Sequence, residues 1–421
     1  MSFFPRILWL RRTWLRLVVP LLFFVLSIDL FLTVAVHPQP KRVSAIETVL
    51  TNISNPRIFI ASIHWNNEVA IRSHWGVAVL DLVRYLGPEN VYISILESCS
   101  WDGSKDALRE LDLQLEELGV QRSIELLEST HKDDIERTPK PGEEGWIWTK
   151  RGRKELRRIP YLAGMRNQLM KKLNDLAEDS KERKGQRFER VLWLNDVVFT
   201  TEDVITLIAT RNGNYAAACS LDFLKPPSYY DTFALRDIFG DKTVTRNWPY
   251  FLASQSRKEL ISNDPVPVKS CWNGIAVFKT DPFYDNPPLR FRGISDSLAT
   301  YRLEGSECCL IHIDNRLSSK LGVWLNPNVK VAYNTKAYMT VNPEIGSWPK
   351  NIERVQGIWH NRLARWSGFP GRFLEEFTIG RKIRLWRDVE GRKEKDELHN
   401  DEHYCMVSET QVVVENGWAH L

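Results

Sequence analysis

The chain has 421 residues, 43% of them hydrophobic and 26% charged, with no low-complexity tract; this excludes a disordered or fibrous protein and leaves one large globular domain or two fused ones. A net charge of +4 is too small at this length to argue for nucleic acid. The 16 tryptophans are unusual, and several fall in loops, where aromatic faces meet sugars or partners. Most of them belong in the core, since Trp is highly buried on average.

Leu17 to Val36 is an apolar run of about 20 residues, long enough to span a bilayer as a helix. Asp29 interrupts it, at about 2.5–3.5 kcal/mol if central. Arg6, Arg11, Arg12 and Arg16 precede the run and Lys41 and Arg42 follow it, so the positive-inside rule leaves the N-terminus cytosolic and the bulk lumenal. A cleaved signal peptide is the rival reading, but the run is long and lacks a clear small-x-small site. Five parts follow: a cytosolic tail (1–16), a transmembrane signal anchor (17–36), a stem (37–55), a catalytic-size domain (56–345) and an extension packed on it (346–421). Asn52-Ile53-Ser54 is a glycosylation sequon in the stem. Lys395 to Leu398 spells a retrieval signal at an internal position where no C-terminal receptor reads it. Cys99, Cys219, Cys271, Cys308, Cys309 and Cys405 would meet an oxidising lumen, so one or more disulfides are expected, with connectivity left open.

The first predicted strand is Arg57 to Ile63, which carries Ser62 near its end. A helix follows with Trp75, Val79, Val83 and Leu86 at helical spacing, stopped by Gly87-Pro88. Val91 to Leu96 is a second strand, leading into the polar loop Glu97 to Gly103. Leu108, Leu111, Leu115 and Leu118 stripe a second helix, and Ser123 to Leu127 is a third strand. This β-α-β-α-β order calls for a largely parallel sheet and half of a nucleotide-binding α/β domain. Residues 128 to 160 read as a long charged surface loop, and Tyr161 to Ala177 as an amphipathic helix bearing Arg166.

Val191 to Leu194 is a short, continuous apolar run, which reads as a buried central strand. It ends in Asn195-Asp196, and Thr200-x-x-Asp203 then has the spacing of a capping box. A strand with an acid at its tip, followed by a helix, is where open α/β sheets bind ligands. Further strands are predicted at Asn214 to Ser220, Ser270 to Phe278, 309 to 313 and Val323 to Ala332. An aromatic, irregular segment (225 to 252) lies between the first two. Gly274 points to a close backbone approach.

Glu97 to Asp102, Asp196 and Asp222 would therefore share one sheet edge, with His312 and Asp314 approaching from a later segment. Carboxylates with an imidazole suit Mn²⁺ or Mg²⁺ better than zinc. Asp196, His312 and Asp314 are the candidate metal ligands, and Arg166 could pair with a phosphate. Taken singly, Asp222 reads as a turn former, His312 as a core histidine and Arg166 as a surface charge. Their convergence on strand ends carries the functional reading.

The segments LWLNDVVFTTEDV, AACSLDF, SCWNGIAVF, EGSECCLIHID and LNPNVKVAY resemble the landmarks of the fungal capsule-type α-1,3-mannosyltransferases, glycosyltransferase family 69, in the same order from about Arg57 to residue 345. The resemblance implies a GT-A-like, Rossmann-type fold, a type II Golgi membrane protein, a GDP-mannose donor, a divalent metal and a glycan acceptor. Asn195-Asp196 stands where other GT-A enzymes carry Asp-x-Asp, so one acid is replaced by an amide. Ser62, Glu97, Asp102, Arg166 and Asn195 are the candidate nucleotide-sugar contacts. An α-mannoside made from an α-linked donor means retention, with Glu307 or Asp222 as nucleophile or ion-pair stabiliser. The Tyr229 to Phe251 aromatics would wall the acceptor or fill the core. A non-catalytic, membrane-anchored glycan-binding or assembly partner is the competing class.

Overall fold

Ile58–His64 (β1) pairs in parallel with Val91–Glu97 (β2), and β2 with Gln121–Leu126 (β3), so the first half of the sheet is parallel as expected. The computed structural model describes residues 56–179, 187–389 and 402–421, together with fragments of a helix between residues 18 and 31. Half of the expected anchor, the stem with Asn52 and the internal retrieval letters lie outside the described residues. Among the described residues, no helix is long and apolar enough to cross a membrane.

The connections in this half are a helical run ending in Gly76–Leu86 (α1), then Ser104–Glu117 (α2). After β3 come His131–Glu136 (α3), the hairpin Trp146–Trp148 (β4) and Lys154–Leu156 (β5), and the long helix Arg158–Asp179 (α4). The expected unstructured loop at 128–160 is thus corrected: Thr130 and Asp133 form a capping box, and Trp146 and Leu156 pack with Val413. Charge had masked these short apolar elements.

The central strand is Arg190–Leu194 (β6), parallel to β1, and Thr201–Ile208 (α5) follows it. Thr200 Oγ1 accepts from Asp203 N–H (3.3 Å) and Asp203 Oδ2 accepts from Thr200 N–H (2.9 Å), the reciprocal cap that the spacing required. Next come Ala217–Lys225 (β7), the short Ser228–Tyr229 (β8) and Arg236–Asp237 (β9), then Val266–Ser270 (β10) and Ile275–Lys279 (β11). The expected single strand 270–278 is therefore two, broken where Asn273 and Gly274 take φ of 46° and 88°. A Cβ on Gly274 would stand 2.6 Å from Val331 Cγ2, so the close approach read from the sequence is real.

Glu304–Gly305 (β12) leads into Glu307–Asp314 (α6), which corrects the strand expected at 309–313. A short continuous apolar run cannot be told from a buried helix by periodicity, and here six of its residues are buried. Val323–Ala332 (β13) completes the sheet in the order β3-β2-β1-β6-β11-β7-β13-β10-β9, with β8 on β7. β11 runs antiparallel between β6 and β7, and β13 runs parallel to β7, so the sheet is mixed but mostly parallel.

Alternation along the strands supplies a core on both faces. Phe59, Ala61, Val191 and Trp193 face α4, which contributes Leu169 and Leu173. Ile58, Ile60, Leu192 and Leu194 face α1, α2 and α5, which contribute Val79, Leu108 and Val204. Asn351–Ser367 (α7) and Phe369–Val389 (α8) come after the sheet, and α8 sets Ile379, Ile383 and Trp386 against Leu298, Leu310 and Met406. The chain ends in Met406–Val407 (β14), which pairs with β12, and the hairpin Gln411–Val414 (β15) and Gly417–His420 (β16). Disulfides join Cys219 to Cys271 and Cys309 to Cys405, while Cys99 and Cys308 are free and buried.

Candidate active site

A cleft of about 1130 Å³ opens at the carboxyl ends of β1 and β6. Its walls are the turn after β1 (Trp65 to Asn67), one face of α4, the start of α6, the loop after β8 and the C-terminal hairpin. Asn195 and Asp196 lie where β6 runs out. Asn195 N–H donates to Gly274 O (3.0 Å), and Trp75 Nε1 donates to Asn195 O (2.9 Å), so the tip is anchored on both sides. Asp196 Oδ2 accepts from Asn67 Nδ2 (2.8 Å), which aims the carboxylate. Burial raises the Asp196 carboxyl above its ordinary range, and the Asn67 bond works against that rise. Asn195 Oδ1 accepts from Trp272 Nε1 (3.2 Å), so the amide beside Asp196 is committed to holding the cleft wall.

Arg166, on the cleft face of α4, reaches Glu307 at the first turn of α6, with Nε 3.3 Å from Oε1. Its guanidinium is surrounded by rings, 5.1 Å from the Trp193 centroid, 4.4 Å from Trp272 and 5.6 Å from Phe291. Burial works against its charge, but neighbouring negative groups, Glu307 among them, outweigh that and raise its pKa. The same α6 turn brings Cys308 into the cleft wall, and burial pushes that thiol far up, which makes it a poor nucleophile.

Asp222 stands inside β7, fully buried and off the cleft surface. It accepts from Asn273 Nδ2 (2.9 Å), Asp231 N–H (3.1 Å) and Tyr333 Oη (3.3 Å). Burial, with the charge of Asp231 added, pushes its carboxyl up to about 7. Asp231 itself lines the cleft, capping its own loop through Phe233 N–H (2.9 Å), and burial raises its pKa too.

The structure brings Asp196, Asn195, Arg166 and Glu307 of the expected set to one cleft and leaves the others outside it. Ser62 donates to Leu194 O (2.6 Å) and tacks β1 to β6. Glu97 is buried, receives Ser100 N–H and lies 3.7 Å from Lys105 Nζ, shaping its own loop. Asp102 accepts from Ser104 N–H (3.0 Å) and Glu68 N–H (3.1 Å), closing two helix starts. His312 is buried against Phe278 (ring centroids 5.3 Å apart) with Nε2 2.8 Å from Cys271 O, and burial lowers its pKa to about 4. Asp314 is held by Arg292 at 2.7 and 2.9 Å beside a separate cavity. Both expected metal partners are displaced for one reason: their segment is a helix, which carries residues 312 and 314 away from its N-terminal end. Asn67, Asp231, Tyr333 and Trp418 were not assigned roles from the sequence. Asp231 lay inside the aromatic segment already marked, whereas Trp418 sits in a region with no motif.

A mostly parallel α/β sheet with a polar cleft at its strand ends, floored by a strand-tip acid, defines an α/β protein of the kind that takes ligands at that edge. The chain belongs to the family described as Cryptococcal mannosyltransferase 1, whose model matches residues 57–314. It is 27% identical over 305 residues to Alpha-1,3-mannosyltransferase CMT1 of Cryptococcus neoformans, an overlap of 69% of this chain and 61% of the relative. The chain thus spans about three fifths of that relative's length. Among solved structures it is similar to the mannosyltransferase PcManGT from Pyrobaculum calidifontis, in complex with GDP-Man and Mn²⁺ (8% identity, TM-score 0.33, 89% of this chain and 87% of that one). It is also similar to TarS of S. aureus (9%, TM-score 0.30, 74% and 72%). Overlaps at such scores assign neither a ligand nor a residue's role.

Proposed function

We propose that the protein is a retaining, metal-dependent glycosyltransferase that moves mannose from GDP-mannose to a hydroxyl of a glycan, forming an α-1,3 bond. The observation that carries this reading is the Asp196 carboxylate on a cleft that also holds the Arg166–Glu307 pair. Family membership and the name of the Cryptococcus relative support the sugar and the linkage.

The residues present fit Mn²⁺ or Mg²⁺, because such ions are held by one or two carboxylates with substrate phosphates and water completing the shell. Asp196, oriented by Asn67, supplies that carboxylate. Among the described residues, the one convergence of three His, Cys, Asp or Glu ligand atoms is Cys219, Cys271 and His312, and both sulfurs there are spent in a disulfide. When bound, the ion would offset the charge that grows on the departing diphosphate. The bond from mannose C1 to the β-phosphate oxygen breaks, and its electron pair leaves with GDP. The acceptor oxygen bonds to C1, and its proton passes to the departing phosphate oxygen when attack is front-side. Glu307, steadied by Arg166, is the carboxylate that stabilises the positive charge at C1. In the two-step alternative it bonds to C1 as GDP leaves and is then displaced, the Glu307–C1 bond breaking as the acceptor oxygen bonds to C1. Asp222 is reassigned from catalysis to positioning, since it holds Tyr333, Asn273 and Asp231 from behind.

The same reading makes residues 17–36 a Golgi signal anchor, with the described domain lumenal and Asn52 glycosylated. The arginine flank and the two disulfides support an oxidising compartment. The test is incubation of the purified protein with a panel of nucleotide sugars, with and without EDTA. GDP release from GDP-mannose, lost on chelation and restored by Mn²⁺, is expected. Turnover of a different donor, or indifference to chelation, would contradict the proposal.

A further inference from the structure

The C-terminal hairpin lies outside the matched residues 57–314, yet Gln411, Trp418 and His420 line the cleft. It is firmly rooted. Cys405 is bonded to Cys309 on α6, Gly305 pairs with Met406, and Val412 bridges to Arg157. Arg158 Nη1 donates to Gln411 Oε1 (2.7 Å), and its guanidinium lies 4.0 Å from the centre of the Trp418 ring, which is nevertheless 45% exposed. An indole fixed from one side and open on a cleft is a stacking platform.

Its place in the fold selects what stacks there. β15 packs on α3, which follows β3, as well as on α4 and β5, and Gly417 meets Trp65 just after β1, so the hairpin stands beside the cleft at the β1-β2-β3 half of the sheet. That half is the one whose strand ends receive a nucleoside in doubly wound folds. A Cβ on Gly417 would stand 3.7 Å from Trp65 Cη2, and Trp65 stacks in turn on His131 (5.1 Å between centroids). Trp65 Nε1 has no hydrogen-bond partner among the described residues. Trp65 is two positions before Asn67, at most ~7 Å of extended chain, and the Asn67 amide holds Asp196. A diphosphate at Asp196 therefore directs its nucleoside toward the Trp65–Trp418 corner. Glu409, fixed by Gln411 and by His420 Nδ1 (3.1 Å), lies on the same wall and can accept from purine N–H groups.

We infer that the C-terminal hairpin is the nucleobase subsite of the donor cleft, with Trp418 the ring on which a purine stacks. This rests on the nucleotide-sugar reading above. The test measures binding of GDP and of inorganic pyrophosphate to the full chain in Mn²⁺, for the wild type, W418A and W418F. W418A is expected to weaken GDP about tenfold or more and leave pyrophosphate unchanged, with W418F recovering most of the loss. Unchanged GDP affinity in W418A, including the case where only the acceptor KM rises, would overturn the inference. So would equal weakening of pyrophosphate, which marks general damage to the cleft. Wild-type protein that binds neither ligand would instead strike the donor reading, and the subsite with it.

Discussion

Asp196 and Asp222 lie on the same sheet, and they stand in opposite environments. Asp196 is at a strand tip, held by one amide, with its carboxylate on a cleft. Asp222 is one stretch earlier on its strand relative to the sheet edge, sealed behind Tyr333 and Asn273 and pushed up to about 7. The lesson is that an acid near a strand end takes its role from whether the chain has already left the sheet. At β6 it has left by Asn195, whereas β7 continues to Lys225.

That contrast can be broken by substitution. D196N should abolish most metal-dependent transfer, about a thousandfold in kcat/KM, while the fold survives by circular dichroism. E307Q should lower kcat by ~10²–10³ with GDP affinity retained; full activity would remove Glu307 from the mechanism. D222N should cost less than about tenfold, or ~1.4 kcal/mol, because an amide mimics the protonated acid that burial favours. The pH dependence sharpens the point. With a folded pKa near 7 against an ordinary 3.8, Asp222 binds its proton more tightly when folded, so its contribution makes stability fall as pH rises from about 4 to about 7. D222N should flatten the Tm profile across that window. Smallest is T200A, which removes the α5 cap and should cost ~1 kcal/mol by denaturant midpoint with kcat unchanged.

The parallel β1-β2-β3 half, β6 and the α5 cap were legible because each has a clean local signal: continuous apolar strands, helical stripes and a reciprocal Thr–Asp spacing. Asn195 and Asp196 were placed by the same kind of signal at the tip of β6. Arg166 and Glu307, which the structure brings to the same cleft, were instead named from convergence and from the family resemblance, Glu307 ahead of a segment that is a helix rather than a strand. The break at Asn273-Gly274 was half legible, since Gly274 flagged the close approach but not the interruption. His312 and Asp314 were misplaced because CLIHID is apolar enough for either a strand or a buried helix. Asp102 and Ser62 are polar at the right edge but are consumed by structural hydrogen bonds, Asp102 at a helix start and Ser62 across to β6. The hairpin's return to the cleft is a long-range event secured by a disulfide across 96 residues, and no local pattern announces it.

The central claim is that Asp196 holds the cation that grips the donor's two phosphates. Titration calorimetry of GDP into the full-length protein, with and without Mn²⁺, tests it most directly when wild type and D196N are compared. Binding that requires Mn²⁺ in the wild type and disappears in D196N is the predicted result. GDP binding of equal strength in both proteins, or indifferent to the ion, would contradict it.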